Sequence, residues 1–479
     1  MFTRRLLVAL FAVLVWLPLN AIEPVFRAGA ATSNITPWLG LEIEGNMHMQ
    51  LATNIHDELH ARCIVLDDGT NKLAILTADS CMILRETFDA AKKRVHEKTG
   101  LPPENILMST THTHSAPSAV GLFQTSPDPD YQNFLTSRMA DAVIRALNNL
   151  EPAKVGWAVG QEPNQVFNRR WIMKPGVKNI NPFGGEDAVR MNPGNANANP
   201  DLLDPAGPTD PEVSVLSVQS LDGRPIGLLA NYSLHYCGNV GAGTISADYF
   251  GAFCERMTDL LKADRQSPHP PFVAIMSNGA SGDCNNINFR EPHKKEPPFE
   301  QINRVAEAVA KAAYDAVRKI EYRSWIPVNS AQKEITLGVR LPSKEEVEFA
   351  RIDLENAVKT PNGQLRNRDD IYRRETVLME NFNSQTNLLI QAHRIGDLGI
   401  VAIPCEVFVE IGLEIKKQSS LKPTFIISLA NGYNGYLPTP EHHKLGGYET
   451  WRARSSYLEV NASAKITATV TELLQQVSR

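Results

Sequence analysis

Residues 106–117, ILMSTTHTHSAP, join a short apolar run to a polar cluster that ends at a proline. The apolar part, Ile106-Leu107-Met108, is typical of a buried strand. Residues two apart in an extended chain point to the same side, so we expect His112 and His114 to face one pocket at the end of this strand. Neutral imidazole nitrogen is an ordinary zinc ligand. The pair therefore indicates a metal site, although two hydrogen-bonded polar side chains would explain an isolated H-x-H pair equally well.

The segments before this stretch predict a strand, a helix and a second strand. Apolar runs at 63–66 and 73–77 flank an Asp-Gly turn, which predicts a β-hairpin. Residues 86–98 have an amphipathic pattern that ends at Gly100 and Pro102, as expected of a helix. A strand, a helix and a strand of these lengths predict a βαβ unit that ends at the two histidines.

Strands and helices continue to alternate along the remaining chain. Further hairpins are predicted at 213–218 with 226–235 and at 388–393 with 398–403. The pattern predicts an α/β fold, a single large domain with mixed sheets and helices packed on their faces. Residues 168–211 are rich in Asn, Pro and Gly, and their length is typical either of a binding loop or lid, or of a surface insertion.

Composition and the N-terminus narrow the functional classes. The chain has 479 residues and a formal charge of -5 without a long basic run, which gives no reason to expect nucleic-acid binding. Arg4-Arg5 precede an apolar run that ends at Asn20-Ala21, the pattern of a secretory signal at 1–21. A membrane anchor is the alternative, but the run is shorter than the ~20 residues that a spanning helix needs. We therefore expect a secreted or periplasmic protein whose domain is 22–479, with no transmembrane segment after signal removal.

Several predicted strands end in polar residues that suit a metal. Besides the first two histidines, the candidates are His235, Glu406 and Tyr436. In open α/β sheets, ligands bind outside the ends of the strands. Two histidines and a carboxylate form a common catalytic zinc set, so the residue types alone join His112 and His235 to Glu406.

Five motifs, in the same order, are similar to those of the neutral, non-lysosomal ceramidase family. They are Ala28-Gly29 through Ile35-Thr36-Pro37; His112 through Pro117, resembling H-T-H-S-G-P with Ala116 for glycine; Asn231 through His235, resembling N-W-x-x-x-H; Pro404-Cys405-Glu406, resembling P-G-E; and Asn431 through Tyr436, matching N-x-Y-x-x-Y. The chain therefore resembles this family over nearly all of its length after the signal.

The resemblance implies a zinc ion bound by His112, His235, Glu406 and Tyr436. It also implies substrate contacts from three residues, which are His114, Arg169 and Tyr448. For Arg169 and Tyr448, a surface cation and a packed aromatic ring are the alternatives.

The implied reaction is hydrolysis of an N-acyl amide, such as the lipid ceramide, or of an ester. Zinc lowers the pKa of a bound water from ~15.7 towards ~7, which supplies hydroxide to attack the carbonyl. His114, Arg169 and Asn285 would stabilise the charge on the carbonyl oxygen, and Asp283 would orient a ligand or shuttle a proton.

Two departures from the family pattern qualify this prediction. The family carries G-D-V-S-P-N with an essential serine, whereas here Asn285 follows Gly282-Asp283-Cys284 and lacks a hydroxyl. An exported zinc-containing binding protein that has lost turnover is therefore the alternative. The family also adds an immunoglobulin-like domain after the catalytic one, and since the chain stops at Arg479 we expect only the catalytic domain here.

Overall fold

Two mixed β-sheets share the central hydrophobic core of the molecule. The computed structural model describes residues 25–194, 199–263, 268–292 and 294–479. The predicted signal peptide, residues 1–21, lies outside the described residues.

The larger sheet has eight strands, and most of its neighbours are antiparallel. In spatial order the strands are Val273–Asn278, Pro225–Tyr232, Glu212–Ser220, Glu151–Gln161, Arg27–Asn34, His60–Asp67, Lys72–Ala78 and Ile106–Thr110. The two pairs at its edges are parallel. The smaller sheet has four strands, which in spatial order are Val328–Gly338, Gln385–Ile395, Leu398–Ala402 and Thr424–Ile427, and its last pair is parallel.

Helices cover the outer faces of both sheets. Their bounds are Arg85–Thr99, Pro129–Asn148, Asp248–Leu260, Glu300–Val317, Lys344–Glu355, Arg368–Leu378, Val409–Gln418, Pro440–Leu445 and Ala462–Ser478.

The buried residues divide into layers that match this arrangement. One cluster joins the two sheets and includes Ile64 and Leu229 of the larger sheet with Ile400 and Phe425 of the smaller. Other clusters pack the first four helices on the larger sheet and the C-terminal helix on the smaller one. The order of layers is therefore helices, sheet, sheet, helices, which confirms the predicted α/β fold with mixed sheets and covered faces.

The local predictions around the two histidines are confirmed. The strands His60–Asp67 and Lys72–Ala78 form the antiparallel hairpin. The helix Arg85–Thr99 follows and ends at Gly100, whose φ of 75° lies in the left-handed region that favours glycine. The strand Ile106–Thr110 then returns parallel to Lys72–Ala78, which completes the βαβ unit.

The segment 168–211 contains more regular structure than the sequence predicted. Its described part forms a three-stranded sheet from Val189–Met191, Arg170–Met173 and Leu202–Pro205. These strands are only three or four residues long, too short to show a clear alternating pattern. The segment therefore folds into a small sheet of its own.

Two further features bear on the sequence analysis. All six cysteines are free thiols, and burial raises the pKa of several, including Cys63 and Cys405. Among the described residues, none of the helices has both the length and the apolar character needed to span a bilayer.

Candidate metal centre and adjoining cavity

The candidate site lies where three pairs of parallel strands end. These pairs are Lys72–Ala78 with Ile106–Thr110, Pro225–Tyr232 with Val273–Asn278, and Leu398–Ala402 with Thr424–Ile427. Parallel neighbours end at the same edge of a sheet, so the segments after them meet there. His112, His235 and Glu406 lie within four residues of the ends of three of these strands.

Buried asparagine side chains join these strand ends, one within the larger sheet and one between the two sheets. Asn278 Nδ2 donates to the Thr111 carbonyl at 3.3 Å, and Asn231 Nδ2 donates to the Ile426 carbonyl at 2.9 Å. An amide can satisfy a backbone group that a strand end leaves without a partner. These contacts hold the polar segments in fixed positions beneath the candidate ligands.

Three side chains converge at this place, as the residue types predicted. The Nε2 atoms of His112 and His235 are 3.0 Å apart. Glu406 Oε2 lies 3.2 Å from the first nitrogen and 3.7 Å from the second. All three side chains are almost fully buried. A tetrahedral zinc ion with bonds of about 2.0–2.1 Å requires donor atoms about 3.3–3.4 Å apart, and the observed spacings bracket that value.

The hydrogen bonds around these donors leave them ready for a cation. Nδ1 of His112 lies 2.9 Å from the Cys81 carbonyl, and Nδ1 of His235 lies 3.1 Å from the Ser281 carbonyl. Each Nδ1 therefore carries the proton, and each Nε2 presents a lone pair. Burial, reinforced by Arg169 and His112, lowers the pKa of His235 well below its ordinary value and keeps it neutral. Within the described part of the chain, Glu406 Oε2 is buried without a hydrogen-bond partner. The donor set and its protonation fit a divalent metal.

His114 joins the site by a different backbone path from the one predicted. His112 has a φ of 74°, in the left-handed region, so the chain turns at this residue instead of continuing as a strand. His114 Nε2 nevertheless lies 3.2 Å from His112 Nε2, and its ring stacks on Tyr236 at 3.7 Å. Burial, with the neighbouring His112, lowers its pKa well below the usual value. The turn at His112 therefore brings the rings of His112 and His114 to the same pocket.

Tyr436 lies next to the acid in the candidate ligand set. The short strands Glu406–Val407 and Tyr436–Leu437 are paired in parallel, with Glu406 opposite Tyr436. Arg169 Nη2 donates to the tyrosine hydroxyl at 3.1 Å. Burial and the Glu406 carboxylate raise the pKa of Tyr436 well above its ordinary value, so the phenol stays protonated unless a cation stabilises its anion.

The sequence did not predict the buried charge network that Arg169 forms with Arg170 and Glu449. Glu449 accepts from Arg169 Nε at 3.1 Å and from Arg170 Nη1 at 2.6 Å. Arg169 also donates to the Gly282 carbonyl at 2.7 Å. The sequence shows two adjacent arginines in Asn168-Arg169-Arg170, but it does not indicate their partner, because Glu449 lies 280 residues away from Arg169. Arg169 is therefore a buried, fixed cation beside the candidate ligands, and the alternative of a surface cation is wrong.

Asp283 and Asn285 hold structural hydrogen bonds at the edge of the site. The Asp283 carboxylate accepts from Asn168 Nδ2 at 2.9 Å and from the Val409 amide at 2.8 Å. Burial and the nearby Glu410 carboxylate hold the pKa of Asp283 well above its usual range. Asp283 and Glu410 also lie close to His442 in a second group of potential metal ligands.

The side-chain amide of Asn285 is hydrogen-bonded to segment 168–211. Asn285 Nδ2 donates to Asn192 Oδ1 at 2.9 Å, and its Oδ1 accepts from the Ile287 amide at 3.0 Å. The hydrogen bonds described for Asn285 do not include the three convergent ligands.

Tyr448 lines a cavity of about 480 Å³ beside the candidate metal centre. Its ring centroid lies 5.6 Å from that of Tyr436 in an edge-to-face arrangement. The cavity is lined on one side by residues of the small three-stranded sheet and its loops and on the other by the Tyr448 loop: Met47, Lys178, Asn179, Ile180, Asp187, Val189, Arg190, Met191, Arg368, Gly447, Tyr448 and Trp451. Segment 168–211 therefore forms much of the cavity wall.

Comparisons with known proteins agree with the resemblance seen in the motifs. A family model described as "Neutral/alkaline non-lysosomal ceramidase, N-terminal" matches residues 26–296. Neutral ceramidase B of Dictyostelium discoideum is 25% identical over 283 residues, which is 56% of this chain but only 36% of that protein. Neutral ceramidase of Pseudomonas aeruginosa is 21% identical over 495 residues, covering 90% of this chain and 70% of that protein.

A solved structure supports the fold over a longer span. The crystal structure of neutral ceramidase from Pseudomonas aeruginosa superposes with a TM-score of 0.72 at 19% identity, covering 95% of this chain and 74% of that chain. The family model includes His112, Arg169 and His235 but ends before Glu406 and Tyr436, so the place of these last two residues in the candidate site rests on the geometry described above.

Proposed function

Because the chain belongs to the neutral/alkaline, non-lysosomal ceramidase family, we propose that it is an exported zinc-dependent hydrolase that cleaves a ceramide-like N-acyl amide or an ester. The observation that supports this most directly is the convergence of His112, His235 and Glu406 with an unpaired carboxylate oxygen. Export rests on the N-terminal pattern at 1–21.

In this proposal the metal is held by His112, His235, Glu406 and Tyr436. A bound zinc ion would polarise the scissile carbonyl and lower the pKa of a water molecule towards ~7. The carbonyl partners of the two Nδ1 atoms orient the histidines for this task. The phenol of Tyr436 would lose its proton on metal binding, so metal affinity is expected to rise with pH.

Arg169 is the residue best placed to stabilise developing negative charge. Burial lowers its pKa, but the neighbouring Tyr436 and Glu449 outweigh that effect and raise it above the ordinary value, so the guanidinium stays charged. Its contacts to Gly282 and Glu449 fix its position before substrate arrives. A fixed donor in a dry site can stabilise an oxyanion without reorganisation.

His114 and Asp283 take different roles in this proposal. His114 remains a neutral imidazole beside the metal ligands and would hydrogen-bond to the substrate. The Asp283 backbone carbonyl accepts from the Arg169 amide at 2.8 Å, while its carboxylate holds Asn168. Asp283 would therefore be a positioning residue for Arg169, and Asn285 would act at the mouth of the site through Asn192.

The second candidate is a zinc-containing binding protein without turnover. It is favoured by Asn285, which replaces the serine of the family motif and whose amide is already hydrogen-bonded to Asn192 and Ile287. This candidate predicts metal binding without cleavage of any N-acyl amide or ester. An Asn285→Ser variant that gains activity would favour this second candidate.

The test is to remove and restore the metal and to follow cleavage of a panel of N-acyl amides that includes ceramide. We expect an equimolar amount of zinc by elemental analysis, loss of activity on chelation, and recovery with Zn²⁺. His235→Ala and Glu406→Gln should abolish both zinc retention and activity. His56→Ala is the matched control, because His56 is half exposed and pairs with Asp57 outside the cluster. Activity that survives both chelation and His235→Ala would rule out the proposal.

A further inference from the structure

The cavity beside Tyr448 carries an excess of positive charge. Three of its lining residues are cations, Lys178, Arg190 and Arg368, and one is a carboxylate, Asp187. Arg368 pairs with Asp369 at 2.9 Å. For Lys178 and Arg190, the described residues provide no carboxylate within ion-pair distance.

Among the described residues, Asp187 forms no ion pair with these cations, and its oxygens accept hydrogen bonds from neutral donors. It accepts from the Gly447 amide at 2.8 Å, from Trp451 Nε1 at 2.7 Å and from Asn181 Nδ2 at 2.9 Å. Three donors satisfy most of the hydrogen-bonding capacity of this carboxylate. Its role is to fasten the Tyr448 loop to segment 168–211, which closes the cavity wall.

Arg190 is held in position by its neighbours. It lies in the strand Val189–Met191, opposite Trp171. Its Nε donates to Asn179 Oδ1 at 2.7 Å, and its Nη2 donates to the Lys178 carbonyl at 3.2 Å. These two bonds orient the guanidinium group and do not use its Nη1 atom. A guanidinium fixed in this way loses little conformational entropy when it binds an anion.

Apart from Asn179, the other side chains of the wall are apolar or aromatic. Ile180, Val189, Met191 and Trp451 contribute side chains, and the ring of Tyr448 lies beside Tyr436 of the candidate metal centre. Such a wall accepts a hydrocarbon chain, while the cations attract a negative group.

We propose that this cavity selects acyl amides that carry an anionic group over neutral, ceramide-like amides, with Lys178 and Arg190 as the specificity-determining residues. The inference rests on the proposed hydrolase function and narrows its substrate class. A carboxylate on the substrate would bind to Arg190 and Lys178 while the hydrocarbon chain lies against the apolar wall. A neutral amide would leave both cations without a partner.

The test compares N-octanoylglycine with N-octanoylethanolamine, which share the acyl chain and differ in a carboxylate against a hydroxyl. We expect a higher kcat/KM for the glycine conjugate. In Lys178→Met and Arg190→Met this preference, the ratio of the two kcat/KM values, should fall by about tenfold to a hundredfold, the range of one charge-assisted hydrogen bond. Lys174→Met is the control, because Lys174 is an exposed cation of the same segment outside the cavity lining.

Two further measurements separate this inference from the hydrolase proposal. Calorimetric binding of both amides to the zinc-loaded protein reports selectivity without turnover. If neither these two amides nor any member of the wider panel of N-acyl amides and esters is cleaved, the hydrolase proposal fails. The cavity inference still stands in that case if the glycine conjugate binds more tightly and loses that advantage in the two variants. Added salt should weaken the binding of the glycine conjugate only. This measurement uses the unchanged protein, so it does not depend on whether Arg190→Met folds. Equal binding and turnover of both amides, or a preference unchanged in Lys178→Met, would overturn the inference.

Discussion

Replacing Glu449 by glutamine tests whether the buried charge network holds the site together. Glu449 and Arg170 have no exposed side-chain surface, and Arg169 is 5% exposed. The carboxylate is the shared partner of both guanidinium groups. An amide of the same shape removes the negative charge and turns an NH₂ donor towards one arginine. Removing one partner of a buried pair costs about 3–5 kcal/mol, because the remaining charge is left uncompensated.

The size of the protein sets the expected change in melting temperature. The unfolding entropy is roughly 2.1 cal/mol/K per residue, so a chain of 479 residues has about 1 kcal/mol/K. A loss of about 3–5 kcal/mol in the free energy of unfolding therefore lowers Tm by about 3–5 °C. The assay is differential scanning calorimetry of Glu449→Gln and the unchanged protein at equal concentration and scan rate.

A matched surface pair and a double variant provide the controls. Lys311 and Asp315 form an ion pair at 2.7 Å with side chains 67% and 47% exposed, so Asp315→Asn should leave Tm unchanged. Adding Arg170→Met to Glu449→Gln removes one of the uncompensated cations. The two changes should then couple by about 0.5–3 kcal/mol. Strict additivity, or a Glu449→Gln protein as stable as Asp315→Asn, would refute the assignment of a structural charge network.

Two other predictions concern single residues outside that network. Gly45 has a φ of +109°, and a Cβ there would lie 2.5 Å from His114 Cγ. Gly45→Ala should therefore displace the His114 ring and lower kcat on the order of 10–100-fold. The zinc content, measured by elemental analysis, should stay at the level of the unchanged protein. Burial and the nearby Lys92 lower the pKa of His393 to about 3 from 6.5. Between pH 6.5 and pH 3 the unfolded chain therefore carries a proton on this histidine that the folded chain lacks. This difference in proton binding lowers the free energy of unfolding by about 2 kcal/mol as the pH falls from 6.5 to about 5. His393→Gln should reduce the drop in Tm between pH 7 and pH 5, and an unchanged drop would show that His393 does not titrate in this way.

The sequence was most informative where the signal is local. The hairpin and the βαβ unit that lead to His112 depend on apolar runs, an Asp-Gly turn and a terminating glycine, all within about fifty residues, and the structure confirms them. The convergence of His112, His235 and Glu406 was reachable because each lies just after a predicted strand. The left-handed φ of His112 was not reachable, since no residue type in that stretch requires it.

The network around Arg169 shows what local patterns miss. Its partners come from residues 282 and 449, and neither is adjacent to the arginine in any strand register that periodicity predicts. The same limit applies to the wall of the cavity. Strands as short as Val189–Met191 have no usable period, so segment 168–211 looked like a loop, although it forms a sheet that fixes Arg190.

The contrast between the convergent ligands and the cavity wall separates two aspects of the proposed function. The two candidate histidine ligands come from strand ends that the fold itself brings together, and their hydrogen bonds to Cys81 and Ser281 do not involve segment 168–211. The cavity wall comes largely from residues 178–191 of that segment, and Asn285 is linked to the segment through Asn192. A change at the cavity-lining residues can therefore alter which acyl amide is accepted in the proposed reaction without removing the hydrogen bonds that orient these two histidines. For this reason the replacement of the family serine by Asn285 is better tested as a change in selectivity, by measuring both octanoyl amides with Asn285→Ser, than as a simple loss of activity. A Ser variant that shifts the ratio of the two kcat/KM values would place Asn285 with the cavity, whereas one that raises both equally would place it with the reacting groups.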